Sequence, residues 1–311
     1  MTIGFAGGKG MIGAQLIRHF AKSSIPMRAI VRSLSPAHES CMRSVSITNG
    51  DLCSLHDCEA FLSGVDTIFY LAHTNTPITS DLHWPSDAAL NLNPLLTLIQ
   101  AIGAMGRCPH LIYFSSGGAV YGPNIGRAPF VESDPCQPLS SYGVQKMAGE
   151  HYLRLAARKG ILRATVLRVS NAYGTILPSQ RLQGFIGVAV NNLLSGNPVR
   201  VFGNPDNIRD YIHLDDICAI GDAVLQPKED FNLYNVGSGQ GHSVREVLSM
   251  IQESADIHTP PDFTSGVEGA DSLTDWTVLD ISKAKRELNW APQIELRAGI
   301  AKLVQQAREA L

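Results

Sequence analysis

Six short apolar runs in the first half of the chain alternate with stretches of helical length. The runs read TIGFAG, MRAIVR, VSITNGD, DTIFYLA, HLIYFSS and ATVLRVS, and most contain a largely continuous apolar stretch. Uninterrupted apolar runs are typical of strands that are covered on both faces. The stretches of helical length lie at 11–22, 54–63, 87–105 and 141–159. This alternation predicts an α/β fold with a doubly wound parallel sheet.

The alternation ends at about residue 172, where loops and short strands such as VRVFG replace it. No linker in the second half is long enough to separate independent domains. We therefore predict a larger sheet domain at 1–171, joined by later segments at about 207–227 and 277–290. The remainder of 172–311 is expected to form a smaller α/β lobe that closes over this domain.

The composition excludes several classes of function. A formal net charge of -3 and a pI near 6.4 give no reason to expect nucleic acid or a membrane surface as partner. No apolar run approaches the roughly 18 residues that cross a bilayer, and MTIGFAGGKG enters a strand rather than a signal peptide. The six cysteines contain no CxxC pair, so we expect reduced thiols, no metal site and a cytoplasmic location.

The segment AGGKGMIG directly follows the first predicted strand and opens the first predicted helix. It places Gly7, Gly10 and Gly13 in a GxxGxxG spacing. Glycines permit a tight turn and a close approach of the backbone to a pyrophosphate, and the helix N-terminus attracts its negative charge. The spacing alone is a weak signal. Within a complete strand–turn–helix it predicts a dinucleotide site.

The end of the second predicted strand bears on the choice between NAD and NADP. An NAD site usually has an acidic residue about 20 residues after the turn, but none occurs between Gly13 and Glu39. Arg32 and Ser33 stand there instead, and a guanidinium matches the 2′-phosphate of NADP. This region favours NADP. A solvated arginine at a strand end remains the alternative.

SSYGVQKMAGE places Tyr142 and Lys146 four residues apart at the start of a helical pattern, and hence on one face. The ordinary pKa of a phenol, near 10, is too high for proton transfer at neutral pH. A nearby ammonium group stabilises the phenolate and lowers that pKa. The pair therefore predicts an acid–base site.

Eight segments occur in one characteristic order: GGKGMIG, GDL, YLAH, LNLNP, YFSSGGAVYG, YGVQK, LRVSNAYG and RDYIHLDD. In this order they resemble the extended short-chain dehydrogenase/reductase superfamily. Within it, the chain is most similar to the NAD-dependent epimerase/dehydratase family of the UDP-glucose 4-epimerase type. The resemblance runs from residue 2 to about 292 and implies a Rossmann domain with a nucleotide-sugar-binding lobe.

The resemblance also implies roles for individual residues. The residues expected to bind the dinucleotide are Gly7, Gly10, Met11, Ile12, Asp51, Leu52, Leu71, Ala72 and Asn91. Tyr142 would take a proton from a sugar hydroxyl, and Lys146 would hold the ribose and lower the pKa of the phenol. Asn171 and Arg209 match positions that bind the diphosphate of a nucleotide sugar, for which the bidentate guanidinium is suited. An ion pair of Arg209 with Asp210 or Asp215 is the alternative.

Departures from the family pattern concentrate in SSGGAVYG. The catalytic Ser or Thr of the family falls on Gly117, and a second frequent hydroxyl falls on Ala119. Ser116 is the nearest replacement, although strand alternation places it on the opposite face from Gly117. In the lobe, an arginine expected near 262–275 is missing, and Glu268 stands about where it would be.

Two histidines accompany these motifs. His213, in RDYIHLDD, is expected to pack or hydrogen-bond structurally rather than act in catalysis. His73 follows the fourth predicted strand and faces the cofactor cleft by position, and we expect a polar loop residue there.

Three functions remain open at this stage. The motifs favour a nucleotide-sugar 4-epimerase, and the NADP-type pocket favours a nucleotide-sugar 4-ketoreductase. A 4,6-dehydratase would need an acidic pair where Gly118 and Ala119 stand. The missing hydroxyls leave a dinucleotide-sensing protein with a degraded site as the non-enzymatic alternative. By resemblance, a homodimer would form through the helices at 87–105 and 141–159.

Overall fold

The computed structural model describes residues 1–34, 42–76, 79–81, 83–181, 183–264 and 274–309. The strands are β1 (Ile3–Ala6), β2 (Met27–Val31), β3 (Val45–Asn49), β4 (Thr67–Tyr70), β5 (His110–Ser116), β6 (Arg163–Val169), β7 (Asn171–Tyr173), β8 (Arg200–Phe202), β9 (Ile208–His213), β10 (Phe231–Val236), β11 (Gly241–Ser243), β12 (Asp262–Thr264) and β13 (Trp276–Thr277). The helices are α1 (Met11–Phe20), α2 (Leu55–Leu62), α3 (Trp84–Asn91), α4 (Asn93–Ala104), α5 (Gly117–Val120), α6 (Ser141–Arg158), α7 (Phe185–Leu194), α8 (Leu214–Ala223), α9 (Val244–Ala255), α10 (Ser282–Leu288) and α11 (Leu296–Glu309).

The main sheet has seven parallel strands in the order β10-β6-β5-β4-β1-β2-β3. The predicted doubly wound parallel fold is confirmed. Ile3 of β1 is in register with Met27 of β2 on one side and with Thr67 of β4 on the other. The strand order therefore reverses between β1 and β4, and a crevice opens at the carboxyl ends of these strands.

Both faces of the main sheet are covered by apolar side chains. On one face Phe5 stacks on Phe69, with 5.5 Å between ring centroids, and α1 packs there through Leu16 and Ile17. The other face belongs to a second cluster that includes Tyr70 and the helices α2, α4 and α6. This two-sided cover explains the uninterrupted apolar runs of the sequence.

The helix expected at 87–105 is divided into α3 and α4. Pro94 lies in the first turn of α4, where its missing backbone N–H costs no hydrogen bond. The same proline could not continue α3, so Leu92 separates the two helices. None of the described helices is long and apolar enough to cross a membrane.

The smaller lobe is built on a sheet in which β9 pairs with β7, β11 and β13, with a separate β8–β12 pair beside it. Helices α7, α9 and α11 pack around a third apolar cluster there. Two segments lie elsewhere than predicted. Strand β10 (Phe231–Val236), assigned to this lobe from the sequence, is an edge strand of the main sheet beside β6, whereas β9, assigned to the main domain within 207–227, is the central strand of the lobe's sheet. Helix α8 packs on α1, and α10 packs on β10.

Candidate active site

A cavity of about 410 Å³ lies at the carboxyl edge of the main sheet, between that sheet and the smaller lobe. The glycine turn after β1, the ends of β4, β5 and β6, and the start of α6 form one wall. The opposite wall comes from α7, β8 and β9. The cavity therefore brings together most of the motifs that were singled out in the sequence.

The turn after β1 is shaped to accept a pyrophosphate. Gly7 has a φ of +93°, and a Cβ there would lie 2.5 Å from the backbone nitrogen of Ala72. A Cβ at Gly13 would lie 2.6 Å from the carbonyl oxygen of Gly7. Gly10 caps α1 without a side-chain hydrogen bond, and the first turn, with Met11, Ile12 and Gly13, contains no acidic residue. The first N–H groups of α1 thus remain available to an anion, so the residues present fit a dinucleotide.

Two basic side chains approach the end of β2. Arg32 is exposed just after β2, and the Nζ of Lys9 donates a hydrogen bond to the carbonyl oxygen of Ser33 at 2.7 Å. Lys9 was not identified from the sequence, because it occupies one of the unspecified positions of the GxxGxxG spacing. Asp51 lies at the neighbouring strand end, where its Oδ1 accepts from the backbone N–H of Cys53 at 2.9 Å, and Leu52 follows it.

The segment after β4 forms part of the cleft wall. Leu71 lines the cavity, and the backbone of Ala72 abuts Gly7. Asn91 is buried behind this segment and is not among the residues that line the cavity. Its Oδ1 accepts from the backbone N–H of Thr74 at 2.7 Å, and its Nδ2 donates to Asp87. Asn91 therefore holds the wall in place from behind.

Tyr142 and Lys146 meet as the spacing predicts. The Ser140 side chain caps α6 by accepting from Gly143, and the backbone N–H of Tyr142 donates to Ser80. Both Tyr142 and Lys146 are buried and line the cavity. The Nζ of Lys146 lies 5.6 Å from the centre of the Tyr142 ring.

Burial controls the ionisation of this pair. It raises the pKa of Tyr142 to about 12, while hydrogen bonding with the Ser116 side chain acts in the opposite direction. Burial also lowers the pKa of Lys146 to about 7, and the charge of Glu150 partly opposes this shift. Burial thus disfavours the charged form of both side chains.

The residues at the end of β5, Ser115–Gly118, differ in whether they line the cavity. Ser116 and Gly118 line the cavity, but Gly117 does not. A Cβ at Gly117 would lie 2.6 Å from Cδ1 of Leu279, on the side away from the cleft. The opposite facing of Ser116 and Gly117 agrees with strand alternation, but it is Ser116 that stands beside Tyr142. In this structure a side chain at residue 117 would meet Leu279, which does not line the cavity.

Arg209 enters the cavity from β9. It donates to the carbonyl oxygens of Ile208, at 2.8 Å, and of Thr274, and burial lowers its pKa. Neither Asp210 nor Asp215 forms an ion pair with Arg209. Asp210 accepts from the backbone N–H groups of Ser238 and Leu279, among others, while Asp215 pairs with His213 and Lys302. Arg209 therefore brings a cationic side chain into the cavity wall without either of these counterions.

Other residues of the lobe complete this part of the cavity. Asn171 lines it while its Nδ2 donates to the carbonyl oxygen of Asp210 at 2.9 Å. Arg181 and Arg200 also line the cavity and were not identified from the sequence, since no motif contains them. The Nδ1 of His213 accepts from the backbone N–H of Asp215 and caps α8, so its role is structural. Glu268 lies outside the described residues.

Metal ligands are not grouped in this region. Within the described ranges, no set of three or more His, Cys, Asp or Glu side chains is arranged to hold a metal ion.

Known proteins are similar to this chain in sequence and in fold. The model of the NAD dependent epimerase/dehydratase family matches residues 5–237. The chain belongs to this family. The resemblance inferred from the motifs is thereby confirmed, and the family accounts for the main sheet and the walls of the cavity.

Individual relatives cover the whole chain. The dTDP-4-dehydro-6-deoxyglucose reductase of Escherichia coli is 27% identical over 310 residues, which are 97% of this chain and 96% of the relative. UDP-glucose 4-epimerase of Thermotoga maritima, solved with UDP-glucose, has a TM-score of 0.92 and 26% identity, covering 100% of this chain and 99% of its own. UDP-glucose 4-epimerase of Thermus thermophilus, solved with NAD, has a TM-score of 0.90 and 26% identity, with both chains fully covered.

Proposed function

We propose that this protein is a nucleotide-sugar 4-epimerase that works by transient oxidation at C4. The observation that carries the proposal is the shared cavity of Tyr142, Lys146 and Arg209 beside the glycine turn. A phenol next to an ammonium serves proton transfer, and a guanidinium in the cavity wall suits a diphosphate. A protein that only binds a dinucleotide has no need of a phenol beside an ammonium group.

Tyr142 is the base in this proposal. It accepts the proton of the C4 hydroxyl while the hydride leaves C4, which converts the alcohol to a ketone. A bound oxidised nicotinamide dinucleotide would supply the hydride acceptor and the same hydride for the reverse step, so no external reductant would be needed. After the keto sugar turns over, the hydride would return to the opposite face of C4 while Tyr142 returns the proton to the C4 oxygen.

Lys146 and Ser116 assist Tyr142. The Nζ of Lys146 donates to the carbonyl oxygen of Phe114 at 2.8 Å, which fixes the ammonium close to the phenol. Its positive charge stabilises the phenolate, and the Ser116 hydroxyl lowers the pKa of Tyr142 by hydrogen bonding. Asn171 and Arg209 bind the diphosphate and hold the sugar toward Tyr142.

A second candidate, an NADPH-dependent nucleotide-sugar 4-ketoreductase, is favoured by the basic end of β2. Lys9 and Arg32 suit the 2′-phosphate of NADP, whereas an acidic residue there would repel it. The Escherichia coli relative named as a reductase supports the same interpretation. A reductase performs only the second half of the reaction, for which a bound NADPH would supply the hydride and Tyr142 the proton.

The deciding experiment identifies the dinucleotide released when purified protein is denatured. Tightly retained NAD supports the epimerase, and a protein that is empty and takes up NADPH supports the reductase. Incubation with UDP- and dTDP-linked sugars and their 4-keto forms, followed by NMR, then tests for conversion. Tyr142→Phe is expected to lower turnover at least about 100-fold without loss of dinucleotide binding. Conversion that survives this change overturns the role of Tyr142, and no conversion of any substrate supports a sensing protein.

The proposed assembly is a homodimer through α3, α4 and α6. Exposed apolar side chains on α6 include Val144, Tyr152 and Leu155, and α3 exposes Trp84 and Leu90. Exposed apolar side chains on these helices favour contact with a second copy. Light scattering of the protein and of Leu155→Glu tests it, because a charge there should shift the mass toward that of one chain.

A further inference from the structure

His73 occupies a fixed place in the wall of the cavity. Its neighbours on both sides are anchored: the backbone N–H of Leu71 donates to the carbonyl oxygen of Ala6 at 2.7 Å, and that of Thr74 donates to Asn91. Asn91 is itself held by Asp87. The position of the imidazole is therefore set by β1 and α3 rather than by a freely moving loop.

The imidazole of His73 contacts the base directly. Its ring meets the ring of Tyr142 edge to face, with 4.7 Å between centroids and 85° between planes. Aromatic pairs favour this arrangement. Burial and the nearby Lys146 lower the pKa of His73 to about 2, so the imidazole is neutral and has one N–H donor and one acceptor nitrogen.

One nitrogen of His73 makes no hydrogen bond within the described part of the protein. Its Nε2 is buried and has no hydrogen-bond partner there. Buried polar atoms nearly always have partners, so an exception beside an active-site group calls for an explanation. Packing against Tyr142 alone would be served equally well by phenylalanine.

The surroundings of Tyr142 indicate what is missing. Gly117 and Ala119 occupy the two positions at which the family resemblance implies hydroxyl groups. Gly117 faces Leu279, and Ala119 lines the cavity without offering a polar group. Ser116 is thus left as the hydroxyl beside the phenol. A second hydrogen-bonding group for the reacting sugar is available beside the same ring, in His73.

We propose that His73 is a substrate-binding residue, whose ring nitrogen hydrogen-bonds to the sugar hydroxyl that Tyr142 deprotonates. This inference rests on the proposed function, because it requires a sugar in the cavity. Since Nε2 is covered in this structure, pairing requires the imidazole to turn about its Cβ–Cγ bond as the sugar enters. The turn costs no existing hydrogen bond of that nitrogen.

The first test is spectroscopic and needs no turnover. Protein labelled with ¹⁵N-histidine and saturated with NAD is titrated with UDP-glucose or dTDP-glucose, and with UDP or dTDP as controls that lack the sugar. The His73 signal, assigned by its loss in His73→Gln, is expected to move by several parts per million with the nucleotide sugar. It is expected to stay in place with the nucleotide alone.

The second test separates hydrogen bonding from packing. His73→Phe keeps an aromatic ring against Tyr142 and is expected to lower kcat by about tenfold or more, with KM changed by less than about threefold. His73→Gln, which retains hydrogen-bonding groups, should recover part of that loss. The exposed His56→Gln on α2 serves as the control and should behave as wild type.

The outcomes are distinguishable. A His73 signal that responds equally to UDP and UDP-glucose overturns the role of His73 while leaving the proposed function in place, as does a His73→Phe variant with wild-type kcat. If no nucleotide sugar binds by titration, the proposed function fails and the role of His73 fails with it.

Discussion

Leu279 fills the space into which a side chain at residue 117 would project. A Cβ on Gly117 would lie 2.6 Å from Cδ1 and 2.9 Å from Cδ2 of Leu279, which is completely buried. Leu279 belongs to a small apolar cluster with Val120, Tyr121 and Phe130. The glycine is therefore required by packing, and its presence does not by itself indicate a degraded active site.

Restoring the family hydroxyl at this place is expected to harm the protein. Gly117→Ser should lower the free energy of unfolding by roughly 1–3 kcal/mol, because Leu279 has no room to withdraw. Gly118→Ser is the matched control, since the nearest heavy atom to its Cβ would be Oγ of Ser116 at 4.0 Å. Urea unfolding of both variants measures the difference. Equal stability of the two would contradict the packing explanation.

Lys146 should make stability depend on pH in a defined direction. Its pKa falls from 10.5 to about 7 on burial, so between these values the unfolded chain binds more protons than the folded one. Stability contributed by this group therefore rises with pH from about 7 to 10.5, and the penalty is complete below 7. Lys146→Met should be more stable than wild type by roughly 1–2 kcal/mol at pH 6, with the gap closing toward pH 10.

Thermal unfolding of wild type and Lys146→Met across this pH range checks the prediction. The exposed Lys159→Met, at the other end of α6, is the control and should show no such convergence. A gap that stays constant from pH 6 to pH 10 would show that Lys146 is charged throughout.

The basic residues at the end of β2 should set the dinucleotide preference. Arg32→Ala and Lys9→Ala are each expected to raise the Kd of NADPH about tenfold, because a charge-assisted contact to the 2′-phosphate is lost. The Kd of NADH, which lacks that phosphate, should stay within about twofold. Fluorescence titration measures both constants. A parallel loss of affinity for the two dinucleotides would instead indicate a general effect on the turn.

Arg209 should be required for the nucleotide sugar and not for the dinucleotide. Arg209→Ala is expected to weaken UDP-glucose or dTDP-glucose binding by roughly 100-fold, because a guanidinium that binds phosphate oxygens bidentately is lost. Folding should survive, since the side chain pairs with neither Asp210 nor Asp215. Calorimetric titration measures the change, with the exposed Arg245→Ala as control. Unchanged affinity would remove Arg209 from the diphosphate site.

The features predictable from the sequence are those with local causes. Continuous apolar runs mark β1 and its neighbours because both faces of the sheet are covered, and the four-residue spacing brings Tyr142 and Lys146 together on any helix. The glycine turn likewise follows from short-range constraints, since Gly7 and Gly13 leave no room for a Cβ.

The features that escaped prediction depend on contacts between distant parts of the chain. Leu279 leaves no space for a side chain at Gly117. Hydrogen bonds with Thr74 and Asp87 hold Asn91 behind the cavity wall. Lys9 approaches Ser33 only because β1 and β2 are adjacent in the sheet. No periodicity in the sequence contains this information.

The interleaving of the two lobes limits how the protein can be divided. Strand β10 completes the main sheet beside β6, yet the chain reaches it only after passing through β7, β8 and β9 of the smaller lobe. A fragment that ends at residue 171 would leave the backbone of β6 unpaired along one edge and would strip α8 from α1. Such a fragment would tend to aggregate. To study the dinucleotide half alone, residues 1–171 would have to be joined directly to the later segments that contain α8 and β10.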